Sequence, residues 1–419
     1  MSFVELDKYQ KFFDKTKGGV KEDLVNKINV LEFIEKETYY ENIYLKKNKN
    51  GVLSMSPSFY LNQNYLTSNV IDLFPLSSIS LRNTLYCNEN EYWSEFKSDR
   101  FGFANDDEKY EKPIKVALIG DSFVEGACVN KNETIAANFD KYFANTISFG
   151  KQGTGPLIQY AIFKEYVKVI KPKIILWFYY KNDLENLHNE LKNETLSKYL
   201  LQDSFIQNLI VKQNEIDCLL INFIIEKKDL PINDVENKCK KLNFKFNKKN
   251  QKQKKVTKHE FNTNIFFQDN EKFVLKNFIK LFKVRSLLGL KSPTNEMKVF
   301  KEILSKVEKE SKEWGGKLFF IYLPALHRYQ YTSEYNEKNF INYINYNTNI
   351  NTIDLDRLFL SNDKDPINNF AIYKYTEKSL LDKGMNHLVN NISIGHYNKI
   401  GYHNISNIII REINNRLYN

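Results

Sequence analysis

Apolar and polar positions are patterned most sharply between Ile114 and Tyr180. IKVALIG (114–120) is an apolar run ending in glycine, which predicts a strand buried on both faces of a parallel sheet. TIAANFDKYF (134–143) has helical spacing behind a threonine placed to cap it. NTISFG (145–150) predicts a second strand. PLIQYAIFKEYVKVIK (156–171) opens on proline and repeats apolar residues at three- and four-residue steps, which predicts a helix. KPKIILWFYY (171–180) predicts a third strand, again buried on both faces. Strand, helix, strand, helix, strand in this order means βαβ units with right-handed crossovers.

From about 186 to 290 the alternation lapses. Helix-like stretches such as SKYLLQDSFIQNLIVKQNEI are followed by a lysine-rich segment and an amphipathic helix over 271–290, for which core packing is the expected use. The rhythm resumes with a helix from Glu296 to a glycine stop, a strand at KLFFIYLPA (317–325), a helix near 336–346 and the apolar stretch NTIDLD (351–356). GYHNISNIIIREINNRL forms a closing helix. Residues 1–110 are weakly periodic and are expected to be an N-terminal extension packing on the core. The turn SDRFGFAND (98–106) leads into the domain of 111–419. The expected architecture is a three-layer α/β/α sandwich on a mainly parallel sheet, with the 186–290 insertion.

Composition narrows the function classes. The chain has 419 residues, 42% hydrophobic and 14% aromatic, so a sizeable core is expected and wholesale disorder is not. Its net charge of +10 comes from one place: Lys238 to Lys258 holds ten lysines and no acid. Setting those aside leaves 51 basic residues against 51 acidic ones. A nucleic-acid surface spreads its charge over a folded face, so no nucleic-acid partner is expected. The lysine run reads as a solvated loop, with a weak contact to an anionic surface as its alternative use. Cys87, Cys128, Cys218 and Cys239 lack CxxC spacing, so neither a disulfide framework nor a zinc site is signalled, and reduced thiols in a cytoplasmic compartment are expected. The N-terminal stretch has no apolar leader core, and the longest apolar runs are strand-sized.

Candidate chemistry lies at the strand ends. Gly120-Asp121-Ser122-Phe123 follows the first buried strand, where open α/β sheets build sites. A serine there can open a helix with its N–H aimed at an oxyanion, while Asp121 braces the loop. Gly150-Lys151-Gln152-Gly153-Thr154-Gly155-Pro156 follows the second strand, with glycines that let backbone approach a ligand. It is not a dinucleotide fingerprint. Lys181-Asn182-Asp183 follows the third strand and offers either an amide donor or a helix cap. Gly395-His396-Tyr397-Asn398 stands before the closing helix.

In this order these four segments resemble the GDSL or SGNH hydrolase superfamily. The resemblance implies the flavodoxin-like sandwich of that family. It also implies a serine nucleophile at Ser122, its base at His396, and an oxyanion hole made by the Ser122 and Gly153 N–H groups and the Asn182 amide. The substrate class it implies is an ester, a short acyl group on a carbohydrate or similar small molecule, with no metal or organic cofactor. Acyl transfer to a glycan hydroxyl and a catalytically degenerate binding module are the alternatives. Two positions depart from the family pattern. Lys181 replaces a glycine, and the family's acid, two or three residues before the histidine, is replaced by Ser393 and Ile394. A Ser122–His396 dyad is therefore expected, its ring held by a backbone carbonyl, the Ser393 hydroxyl or a distant carboxylate.

Overall fold

The computed structural model describes residues 39–48, 50–61, 73–90, 92–228, 239, 293–326, 329, 337–362, 366–370, 373–374 and 393–418. The amphipathic helix expected over 271–290 and, Cys239 apart, the lysine run of 238–258 lie outside the described residues.

Five strands form one parallel sheet: β1 (Val116–Ile119), β2 (Thr146–Ser148), β3 (Ile174–Tyr179), β4 (Lys317–Tyr322) and β5 (Asn351–Asp354). Their spatial order is β2-β1-β3-β4-β5. The α-helices of four residues or more among the described residues are α1 (Ser122–Glu125), α2 (Ile135–Asp140), α3 (Pro156–Ile162), α4 (Asp183–Glu190), α5 (Glu194–Leu201), α6 (Gln213–Lys228), α7 (Asn295–Lys312), α8 (Glu337–Asn347), α9 (Leu355–Asn362) and α10 (Lys399–Tyr418).

The run read as a doubly buried strand is one, because alternate residues of β1 enter two different cores. Ala117 and Ile119, with Ile175, Trp177 and Phe320, pack under α3, α5, α6, α7 and α8. Val116 and Leu118, with Leu176, Phe178, Phe319 and Ile321, pack under α1, α2, α9 and α10. The sheet is thus the middle of three layers, and polar residues have no place in its central strands. Local signals act as their chemistry dictates. Thr134 caps α2 by accepting from the Ala137 N–H at 3.1 Å, and Pro156 occupies the first turn of α3. No helix among the described residues is long and apolar enough to cross a membrane.

The N-terminal segment shares this core. Met55, Tyr60, Phe74, Leu76, Ile79 and Phe103 join the α3 side of the sheet, and a small sheet of Val52–Leu53, Asn83–Leu85 and Glu95–Lys97 sits beside them. The SDRFGF turn is fixed by buried Asp99, which accepts from the Phe101 and Phe103 N–H groups, both at 2.9 Å. Asn105 then bonds the backbone of Ser148 in both directions at 2.8 Å, fastening the segment to β2.

The cysteines correct the expectation of reduced thiols. Cys87 is bonded to Cys128 and Cys218 to Cys239. Their separations of 41 and 21 residues form no recognisable sequence motif, and only folding brings each pair within disulfide reach.

Candidate active site

The first loop is built around a tight turn. Asp121 closes β1 and caps α1, its carboxylate accepting from the Phe123 N–H at 3.1 Å. Ser122 is the first residue of that helix, so its N–H belongs to the group that a helix leaves without an internal partner. Its hydroxyl is half-buried. Gly126, with φ of +91°, ends the helix after a single turn.

The histidine loop is held from below and from the side. Asn398 accepts from the Gly401 N–H at 2.9 Å at the start of α10, and its amide donates to the Asn368 and Phe370 carbonyls. Tyr397 is buried, its hydroxyl donating to the Pro324 carbonyl at 2.9 Å. Phe123 packs its ring against His396 with centroids 4.7 Å apart. The result is that His396 Nε2 lies 2.8 Å from Ser122 Oγ, across 274 residues of sequence.

The far side of the imidazole meets Glu89. Its Oε1 lies 2.8 Å from His396 Nδ1, and its Oε2 accepts from the His396 backbone N–H at 2.6 Å. A carboxylate can only accept, so Nδ1 carries the proton and a neutral ring presents its Nε2 lone pair to the Ser122 hydroxyl. Burial pushes the Glu89 carboxyl up, but the charge and hydrogen bonds of His396 outweigh it and hold Glu89 below its ordinary 4.5. Of the three holders expected for the ring, a backbone carbonyl, the Ser393 hydroxyl and a distant carboxylate, the structure brings the last to Nδ1. Ser393 pairs through its backbone strand with Lys374, and the ring is oriented instead by the distant carboxylate of Glu89. No local signal in CNENEYW marks that residue, because its partner is chosen only by the tertiary fold.

The other two sequence-predicted donors sit on adjoining loops. Gly153 adopts φ of +65°, and a Cβ there would lie 3.0 Å from the hydroxyls of Ser56 and Ser58. Ser56 Oγ donates to the Gln152 carbonyl at 2.6 Å, and in a trans peptide the Gly153 N–H points the opposite way, away from Ser56. The remaining glycines serve packing. A Cβ on Gly150 would lie 2.2 Å from the Glu125 backbone nitrogen, so its close approach is to α1 and not to a ligand. Gly155 approaches α4 in the same manner. Between them runs a fully buried pair, Lys151 and Glu125. Glu125 also accepts from the Gln152 N–H at 2.7 Å, tying the Gly153 loop to the helix that carries Ser122. Asn182 precedes α4 without capping it, its side chain making no such bond. Lys181 is exposed.

Two buried carboxylates lie behind the nucleophile. Burial, only partly offset by the Phe123 N–H and the charge of His396, pushes Asp121 up to about 6. Burial and then the charge of Asp121 push Asp183 well above its ordinary value. The folded protein therefore holds the Asp121 proton more tightly than the unfolded chain. Its stabilising contribution is present below the unfolded value of 3.8 and is lost as pH rises through about 6. Asp121→Asn keeps the cap and removes the charge. Thermal unfolding should show the variant more stable than the parent by on the order of 1–3 kcal/mol above pH 7, with the gap closing near pH 4. A gap independent of pH would contradict this account.

Glu89, Cys128 and His396 also bring a carboxylate oxygen, a sulfur and a ring nitrogen within 4.8 Å of one another. Each is already engaged: the sulfur in the cystine, the carboxylate on the imidazole, the imidazole on Ser122. No protein-family model matches the chain, and no curated protein matches it significantly.

Proposed function

We propose that the chain is a serine-dependent hydrolase of the GDSL/SGNH type, acting on an ester whose acyl group is short and carried by a carbohydrate or a similar small molecule. The observation that carries this reading is the continuous chain of Ser122 Oγ, His396 Nε2, His396 Nδ1 and Glu89 Oε1, with both contacts at 2.8 Å.

In this mechanism His396 takes the Ser122 proton as Oγ attacks the ester carbonyl. The imidazolium formed is balanced by Glu89. The tetrahedral oxyanion is received by the Ser122 and Gly153 N–H groups and the Asn182 amide, each worth about 3 kcal/mol in the transition state. His396 then protonates the leaving alkoxide, and a water molecule deprotonated by His396 releases the acyl group. The catalytically degenerate module rests on a missing acid and on Lys181 in place of glycine; Glu89 on His396 weighs against the first of these. Two cystines fit an oxidising compartment better than the cytoplasm.

The test uses the purified chain with a short-chain aryl ester, an acetylated sugar and a fluorophosphonate. Turnover is expected, together with one covalent adduct per chain. The adduct should map to Ser122, with fluoride leaving as the Oγ–P bond forms. Absence of both turnover and adduct would remove the hydrolase reading. An adduct at another serine would remove the assignment of Ser122.

A further inference from the structure

Glu89 does not belong to the strand ends that carry the rest of the site. It lies on a loop of the N-terminal segment between Tyr86 and Ser94. That loop is closed by the Tyr86 N–H to the Ser94 carbonyl at 2.9 Å and by the Ser94 N–H to the Cys87 carbonyl at 2.7 Å. Its covalent fastening is the bond from Cys87 to Cys128. The ring closed by this cystine contains both Glu89, two residues inside one end, and Ser122, six residues inside the other. Around the open chain the two are separated by 33 residues, whereas through the cystine they are joined by a short path. Cys128 Sγ lies 4.0 Å from His396 Nδ1, and the Asn90 amide donates to the Cys128 carbonyl at 2.6 Å. The bridge is thus seated against the ring edge that Glu89 holds.

We propose that Cys87 and Cys128 are positioning residues for the reaction: their bond holds Glu89 on His396, and full turnover requires it closed. The inference rests on the hydrolase reading above. A catalytic carboxylate must be held to a fraction of an ångström. The noncovalent contacts that hold this one join the loop of Glu89 to the loop of His396. The cystine ties the Glu89 loop to the segment of Ser122 and Cys128, whose sulfur rests against the ring, and so restricts how far the carboxylate can move from it when the loop opens. Opening it consumes a reductant. A small dithiol donates two electrons, the S–S bond breaks, two thiols form on the protein, and the dithiol becomes its cyclic disulfide.

The experiment uses the full chain carrying Cys218→Ser and Cys239→Ser, so that dithiothreitol opens only Cys87–Cys128. Reduction is expected to lower kcat about 10²-fold with KM nearly unchanged, and reoxidation to restore it. Because loss and recovery are read on one preparation, a misfolded variant cannot imitate the result. Cys87→Ser with Cys128→Ser should show the same loss without reductant. The deciding arm adds Glu89→Gln. With the positioned group already gone, opening the cystine should cost less than about twofold further. An equal loss in both backgrounds would make the bridge a general structural brace and overturn the proposal. So would an unchanged kcat on reduction. Either result would leave the hydrolase reading intact if Ser122→Ala is inactive, whereas turnover by Ser122→Ala would remove that reading itself.

Discussion

Glu89→Gln should lower kcat on a short-chain ester by about 10⁴-fold while KM changes little. The two side chains have the same shape, so the loss isolates what the carboxylate does. Glu89 accepts at both oxygens, one from the His396 backbone N–H and one from Nδ1. A glutamine can accept at only one of these places. The other becomes an N–H facing an N–H, and either the backbone bond is lost or the ring turns to the tautomer that cannot take the Ser122 proton. The lost charge matters as well. Glu89 is held below 4.5, so at neutral pH it is a carboxylate and, in the proposed mechanism, balances the imidazolium of the transition state. Without it the protonated ring is less favoured, and the acid limb of kcat against pH should move to lower pH. Parent-like turnover in the variant would leave His396 oriented by something else.

Ser122→Ala and His396→Ala should each lower kcat by about 10⁶-fold, and the double variant should be no worse than either alone. In the proposed mechanism the hydroxyl and the imidazole perform one step, so removing one idles the other. What that mechanism leaves is the stabilisation assigned to the amide donors on the three loops, which neither substitution touches. Ser122 is half-buried and carries a single polar atom, so little stability should be lost. Initial rates, read beside a thermal unfolding curve for each variant, separate loss of chemistry from loss of fold. Additive losses in the double variant would mean that the two groups serve different steps.

The amino-acid sequence was sufficient for the architecture of the sheet and for marking Ser122 and His396, which the fold brings to 2.8 Å of each other. Runs such as VALI and IILWFY have no polar face, are too short for a buried helix and are bounded by Gly, Pro or Lys, which marks them as strands covered on both sides. Ser122 and His396 were legible because one follows Gly120-Asp121 at a strand end and the other follows Gly395 before the closing helix, where chain geometry itself exposes a side chain. Gly150 was legible as a tight spot but not for its purpose, since only the packed structure sets the Val124–Glu125 backbone against it. Glu89 and the Cys87–Cys128 bond lay beyond reach for one physical reason. A strand announces itself by local periodicity. A carboxylate that orients an imidazole, or a thiol that finds its partner, is selected by distance in space, and here that distance closes over 307 and 41 residues of chain. The segment read as an extension packed on the core also brings Glu89 onto His396, a contact that only the folded arrangement makes.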